Sequence, residues 1–191
     1  MATSKSSEKK HKILQMLATM LENPKGEKIT TAALAARMGV SEAALYRHFA
    51  SKAQMFEGLI EFIETTVFSL INQITEEHDN GLVQVQEIVL MLLGFSSRNP
   101  GMTKVMTGDA LVNEDERLQL RMNQFLDRIE LSIKQGLRLA VVTGKVAEAD
   151  VAIRANLIVS AVLGRWSRFV KTAFKNDPLE NSAAQINLLL R

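Results

Sequence analysis

Apolar residues recur along this chain at the spacing of a helix face. In "KILQMLATMLEN", Ile13, Leu17, Met20 and Leu21 fall at i, i+4, i+7 and i+8, one side of a 3.6-residue repeat. "NPKGEK" breaks the stripe, with Pro24 and Gly26 close together. Thr30 then offers an N-cap for a helix over "TAALAARM". Gly39 ends that helix, and Ser41 caps a second short one over "EAALYRHF". After a turn at "ASK", a long helix is predicted over about 53–77, with a stripe of Phe56, Leu59, Ile63, Val67, Leu70 and Ile74. "HDNG" closes it. Residues 83–98 are apolar nearly all round, the pattern of a buried central helix. Asn99-Pro100 stops one helix and starts the next, because proline suits a first helical position. Short helices over 100–113, long ones over 115–142 and 148–174 split by Gly144, and a last short one over 180–190 complete the pattern. The predicted fold is all-α, with no strand and no repeat.

Composition supports this. The chain is 47% hydrophobic with few aromatics and three prolines, which favours packed helices over a sandwich or barrel. Its 191 residues suit one domain, or two that share a core. The absence of cysteine excludes disulfides, thiolate catalysis and Cys-based zinc sites, and fits a reducing cytosol. "MATSKSSEKKHK" has charge but no apolar run, unlike a secretory signal. The longest apolar run, "IVLMLLGF", has eight residues against the roughly 20 of a spanning helix. A soluble, cytoplasmic protein with no membrane partner is expected.

Charge changes the picture more. Residues 1–55 hold nine Lys/Arg against four Asp/Glu, while residues 56–191 hold fourteen against seventeen. A basic head on a mildly acidic body suits a polyanion partner, or is simply a solvated tail.

The chemistry concentrates in residues 31–52. Two short helices meet at a tight turn. Ala35 is small where the helices would cross, and Gly39 sits where the turn needs a positive φ. Leu34, Met38, Val40 and Leu45 are apolar at positions that face inward. That is the helix-turn-helix pattern, whose second helix enters a major groove; an ordinary helical hairpin in an all-α core is the other reading. The outward residues suit DNA. Ala43 can meet a thymine methyl, and Glu42 can accept from a cytosine amine. Tyr46 and Lys52 can reach phosphates, as can Thr30 and Thr31 at a helix start. Ser41 lies at the leading end of the recognition helix, and Arg47 can reach a guanine or a phosphate. His48 is expected inward, hydrogen-bonded, fixing the next turn.

"TTAALAARMGVSEAALYRHFASK" resembles the TetR-type DNA-binding domain, on Gly39, Val40, Ser41, Tyr46, His48, Phe49 and Lys52. The resemblance implies a helix-turn-helix domain with a basic tail over 1–53, and a dimerisation and partner-binding body over 54–191. It also implies a homodimer on an imperfect DNA palindrome, its last two long helices forming a four-helix bundle with their mates. "DVAIRANLIVSAVLGRWSRFV" carries apolar groups on more than one face, which marks an interface or a fully internal helix. Ala155, Ala161, Gly164 and Trp166 are the candidate contacts.

The body, through "LIEFIE" and "LLGFSSRNPGMTKVMTGDAL", is similar to the nucleoid-occlusion branch of that family. This similarity implies that the DNA-bound protein antagonises polymerisation of the division GTPase FtsZ. Taking 100° per residue, Phe62 lies at the edge of the long helix's stripe and Phe68 about opposite it, so that helix has a second face to cover. Met91 and Gly94 could line a groove with Phe62, and Arg98 and Asn99 could hold a carboxylate or cap a peptide. Alternatively Met91 is core, Gly94 is packing and Asn99 caps the helix that Pro100 opens. The other functional reading is a ligand-responsive TetR-type repressor. Enzyme chemistry is not expected. "VVTGKV" lacks both the leading Gly and the Ser/Thr of a phosphate loop, and His11, His48 and His78 form no metal cluster. No cofactor is implied.

Overall fold

The structure, a computed structural model, describes residues 2–23 and 29–190, with side chains from residue 7 onward. The break expected at Pro24 and Gly26 lies outside the described residues. Nine α-helices are described: α1 Ala2–Leu21, α2 Thr31–Met38, α3 Glu42–Tyr46, α4 Lys52–Glu77, α5 Gly81–Arg98, α6 Pro100–Met106, α7 Glu116–Val142, α8 Val151–Lys171 and α9 Ser182–Leu189. One turn of 3-10 helix precedes α7 and another precedes α8. The first helix starts eleven residues before Ile13, where the apolar stripe begins. Ser7 to Lys12 are exposed and polar, so no apolar stripe marks this stretch in the sequence.

Helix α5 is central and packs on α4, α7, α8 and α9. Val85, Ile88, Val89, Leu92 and Leu93 are buried, as expected of a central helix, while Leu82, Val83, Leu90 and Met91 are half-buried. The stripe of α4 is turned slightly from the predicted one. Phe56, Leu59, Ile63 and Val67 are buried, but Ile60 and Ile71 complete it while Leu70 and Ile74 are only half-buried. Phe68 is covered after all: it meets Phe125 edge-on at 5.7 Å, and the Arg128 guanidinium stacks 3.7 Å from its ring. The second face of α4 is therefore packed there by α7. Two ion pairs line the same seam, Arg121 to Glu64 at 2.6 Å and Arg117 to Glu57 at 2.9 Å.

Two approaches are so close that only glycine fits. A Cβ on Gly101 in α6 would stand 2.0 Å from the Ala18 carbonyl oxygen of α1, and one on Gly81 in α5 would stand 2.0 Å from the Gly136 oxygen of α7. The first contact seats α1 on the body. Lys104 reinforces it, donating to the Asn23 carbonyl at 2.8 Å. Burial holds the Lys104 ammonium below the usual lysine range, Asp109 partly opposing the shift.

Replacing Gly101 by Ala forces backbone to separate from backbone. The expected cost is about 1–3 kcal/mol, read as a lower Tm by circular dichroism with helix content unchanged. An unchanged Tm would mean that α1 does not sit this close to α6.

Candidate nucleic-acid interface

The head is built by caps. The Thr30 hydroxyl accepts from the Ala33 N–H at 3.1 Å and starts α2. At its end Gly39 takes φ +65°, while the N–H groups of Gly39 and Val40 donate to Ala36 and Ala35 at 3.1 and 3.0 Å. This paired closure needs a left-handed residue, and glycine adopts it without strain. A Cβ at Gly39 would touch nothing, so the requirement is conformational rather than spatial. Ser41 then caps α3, accepting from Ala44 at 3.3 Å, and Ser51 caps α4, accepting from Gln54 at 3.1 Å. Three short polar residues thus set the angles of three helices within about 20 positions.

On the outer face, Thr31 donates to the Glu42 carboxylate at 2.6 Å, and the Tyr46 hydroxyl donates to Thr31 at 3.3 Å. The triad ties α2 to α3. It also occupies Glu42, whose carboxylate faces Thr31. Ala43, Tyr46 and Arg47 are exposed beside it, on one side of the short helix. Leu34, Ala35 and Leu45 are buried beneath, as the pattern predicts.

Three expectations for the head change. Val40 is 41% exposed rather than internal, because the turn carries it out past the end of α2. His48 is half-buried, and its ring makes no hydrogen bond among the described residues; it lines a trough shared with α1. Lys52 does not point freely outward. Its ammonium pairs with Glu114 and lies 5.6 Å from the Phe56 ring. Glu114 sits in the turn before α7, far away in sequence, and no local pattern announces it.

The body residues divide. Phe62 and Asn99 line one cleft of about 440 Å³ with His11 and Met102, and the His11 ring meets Phe62 edge-on at 5.6 Å. Met91, Gly94 and Arg98 share a side of α5, at i, i+3 and i+7. Gly94 is buried, and the Arg98 guanidinium lies over it, 3.3 Å from where a Cβ would be. The shelf meant for a peptide backbone is therefore covered by Arg98. Asn99 donates its amide to the Phe95 carbonyl at 2.7 Å and gives α6 no side-chain cap. His11 was missed because a lone histidine in a polar stretch carries no signal.

Of the four interface candidates, Gly164 is exposed and Ala161 half-buried, while Ala155 and Trp166 are fully buried inside the protomer. The last two face the core because they fall on the Val151–Ile158–Val162 side of α8. The exposed stripe is instead Ile153 and Leu157, continuing through Gly164. On α7, Leu120 and Leu131 are exposed in the same way.

No helix among the described residues is long and apolar enough to cross a membrane. The tetracyclin repressor-like C-terminal domain of the SlmA-like type matches residues 79–191, and the tetR family of bacterial regulatory proteins matches residues 27–59. The nucleoid occlusion factor SlmA of Shewanella pealeana is 48% identical over 190 residues, covering 99% of this chain and 96% of that protein. SlmA of Aliivibrio fischeri strain MJ11 is 50% identical over 183 residues, covering 95% and 93%. Among solved structures, a TetR transcription regulator from Haloarcula marismortui superposes with a TM-score of 0.80 at 16% identity, covering 96% of this chain and 97% of that one. With a capped helix-turn-helix on an all-helical body, and about half its residues shared with these relatives along nearly its whole length, the chain belongs to the TetR family and, within it, to the SlmA nucleoid occlusion factors.

Proposed function

We propose that this protein binds palindromic duplex DNA as a homodimer and, in that state, antagonises FtsZ polymerisation, so that the division ring does not assemble over the chromosome. The observation that carries the reading is the near full-length kinship with SlmA nucleoid occlusion factors, in a chain whose recognition helix has a solvent-facing reading surface. Residues 1–53 form the DNA-binding head and residues 54–191 the body. The boundary falls in the first turn of α4, so one rigid helix runs from the DNA side into the partner side.

In this reading α3 enters the major groove, with Ser41 and Ala43 toward base edges, Arg47 toward a phosphate at the helix end and Glu42 held in place by Thr31. Thr30, Thr31 and Tyr46 face phosphates, as does Lys52 once its ammonium leaves Glu114. A phosphate and the Glu114 carboxylate then compete for one cation. The dimer forms through the exposed stripe of α7 and α8, including Ile153, Leu157, Ala161 and Gly164, because apolar side chains this exposed gain from burial against a second copy. FtsZ engages the cleft at Phe62 and Asn99 and the neighbouring Met91–Gly94–Arg98 side of α5. Arg98 supplies a charge for a carboxylate, and by moving aside it would uncover Gly94.

Glu114→Gln should tighten binding to every duplex by about two- to five-fold, the scale of a partly exposed ion pair. Lys52→Ala should weaken all duplexes alike. Anisotropy titrations on a palindromic and a scrambled duplex measure both, and unchanged affinity in both variants would restrict Lys52 to holding head on body. Leu157→Lys should convert the dimer to monomer in sedimentation velocity; a variant that stays dimeric puts the interface elsewhere. In a GTP-driven FtsZ pelleting assay, the protein with its DNA should reduce pelletable polymer. Phe62→Ala and Arg98→Ala should abolish that loss while DNA binding persists. No loss with DNA bound in the same tube would return the chain to plain transcriptional regulation.

A further inference from the structure

Beside the recognition helix a trough of about 410 Å³ opens between α3 and α1. Its rim is basic on both sides, with Lys9 and Lys12 from α1 and Arg47 and His48 from the end of α3. Its wall includes Val40 and Ala44, and its floor reaches Ile13 and Leu45. Three features make this a site rather than a gap. Val40 is exposed where the helix-turn-helix pattern calls for a core residue, so an apolar surface is left uncovered. Lys9 and Arg47 pair with no carboxylate among the described residues. Among the described residues Lys12 is held only by Glu8, at 2.9 Å with both side chains 63% exposed, an ion pair that solvent and salt readily exchange. Its hydrogen bond and charge hold the Glu8 carboxyl below the usual glutamate range.

We infer that this trough is a second binding surface for the DNA sugar–phosphate backbone, outside the major groove that α3 reads. The inference rests on the DNA-binding reading above. Position argues for it first. Ala44 lies on α3 and Arg47 caps its end, so a strand bordering the groove that α3 enters passes over this flank. Composition argues for it second. A nucleic-acid backbone alternates phosphates with weakly polar sugars, and the trough offers cations at its rim and an aliphatic wall between them. Lys9 and Lys12 stand one turn apart on α1, so the helix presents both to the same strand. The contact carries no sequence information, because no base edge reaches α1; it adds affinity and fixes the angle of the head on the duplex.

The test compares the full-length protein with a Lys9→Gln/Lys12→Gln double variant and with Glu8→Gln, on a palindromic and a scrambled duplex, across a salt series. Both lysines are exposed, so the melting curve should not move and folding is controlled. The double variant should weaken binding to both duplexes by a similar factor, and its slope of log K against log salt should be shallower by about two contacts, roughly 0.9 each. Glu8→Gln releases Lys12 and should act with the opposite sign, tightening both. An unchanged slope in the double variant, with steep salt-dependent binding by the parent, overturns the trough as a phosphate site and leaves the α3 reading intact. Loss on the palindrome alone overturns it too, because the lysines would then be reading sequence. If the parent itself binds neither duplex, the DNA-binding reading falls and this inference falls with it.

Discussion

The position of the head on the body depends on one backbone contact. Gly101 lets α6 press against the Ala18 carbonyl of α1, closer than any side chain would permit. Because α2 packs on α1, and α3 on α2, this contact helps fix where the recognition helix stands relative to the body. Lys104 at Asn23 and Lys52 at Glu114 close the same junction from two sides. Packed helices are not continuously deformable. In the proposed dimer, a change in the half-site spacing it spans would therefore come from moving whole helices, with those two lysine ties giving way.

The charges divide the labour in a way that composition alone conceals. The basic residues of the first quarter are not equivalent. Lys52 is engaged by the acidic body, Lys10 lies 5.6 Å from the Phe49 ring, and Lys9, Lys12 and Arg47 edge the trough. A net charge counts all of them as available to a polyanion. The structure sorts them by what each must give up first. In the proposed DNA complex Lys52 would have to leave a half-buried carboxylate, which offsets part of what a phosphate contact gains, whereas Lys9 and Arg47 would give up only water.

Much of this was legible beforehand, and the failures have common causes. Helix order, the glycine turn and the Ser and Thr caps could be read because each is local: a cap needs its partner two or three residues away. The buried stripe of α5 could be read because periodicity is local as well. What failed was direction over distance. Val40 has the residue type of a core position but lies just past a left-handed turn, and where such a turn aims the next side chain is decided by the helix it must clear. Ala155 and Trp166 read as interface residues because both faces of α8 are apolar; which face is inner is set by α5 and α7. Lys52 found Glu114, and Phe68 found Arg128, across separations that no window spans. Gly94 has the composition of an open shelf, yet Arg98 one turn later covers it.

Helix α1 joins the two proposed surfaces. Lys9, Lys12 and Ile13 lie on its trough side, while His11, Leu14, Ala18 and Glu22 lie on the side of the Phe62 cleft. From Ser7 to Lys12 its side chains are exposed, which places these turns toward the low-stability end of the fold. A duplex backbone seated on Lys9 and Lys12 would order those turns and so hold His11 against Phe62, where the rings already meet at 5.6 Å. Occupancy of one side then alters the other through helix order alone, with no rearrangement of the core. By linkage the effect is reciprocal: a partner that needs His11 in place binds DNA-loaded protein better, and tightens the DNA in turn. A partner that must displace His11 to reach Phe62 is disfavoured by the same ordering. The sign of the coupling between DNA and the cleft is thus set by whether this one ring is part of the partner's surface or an obstacle to it.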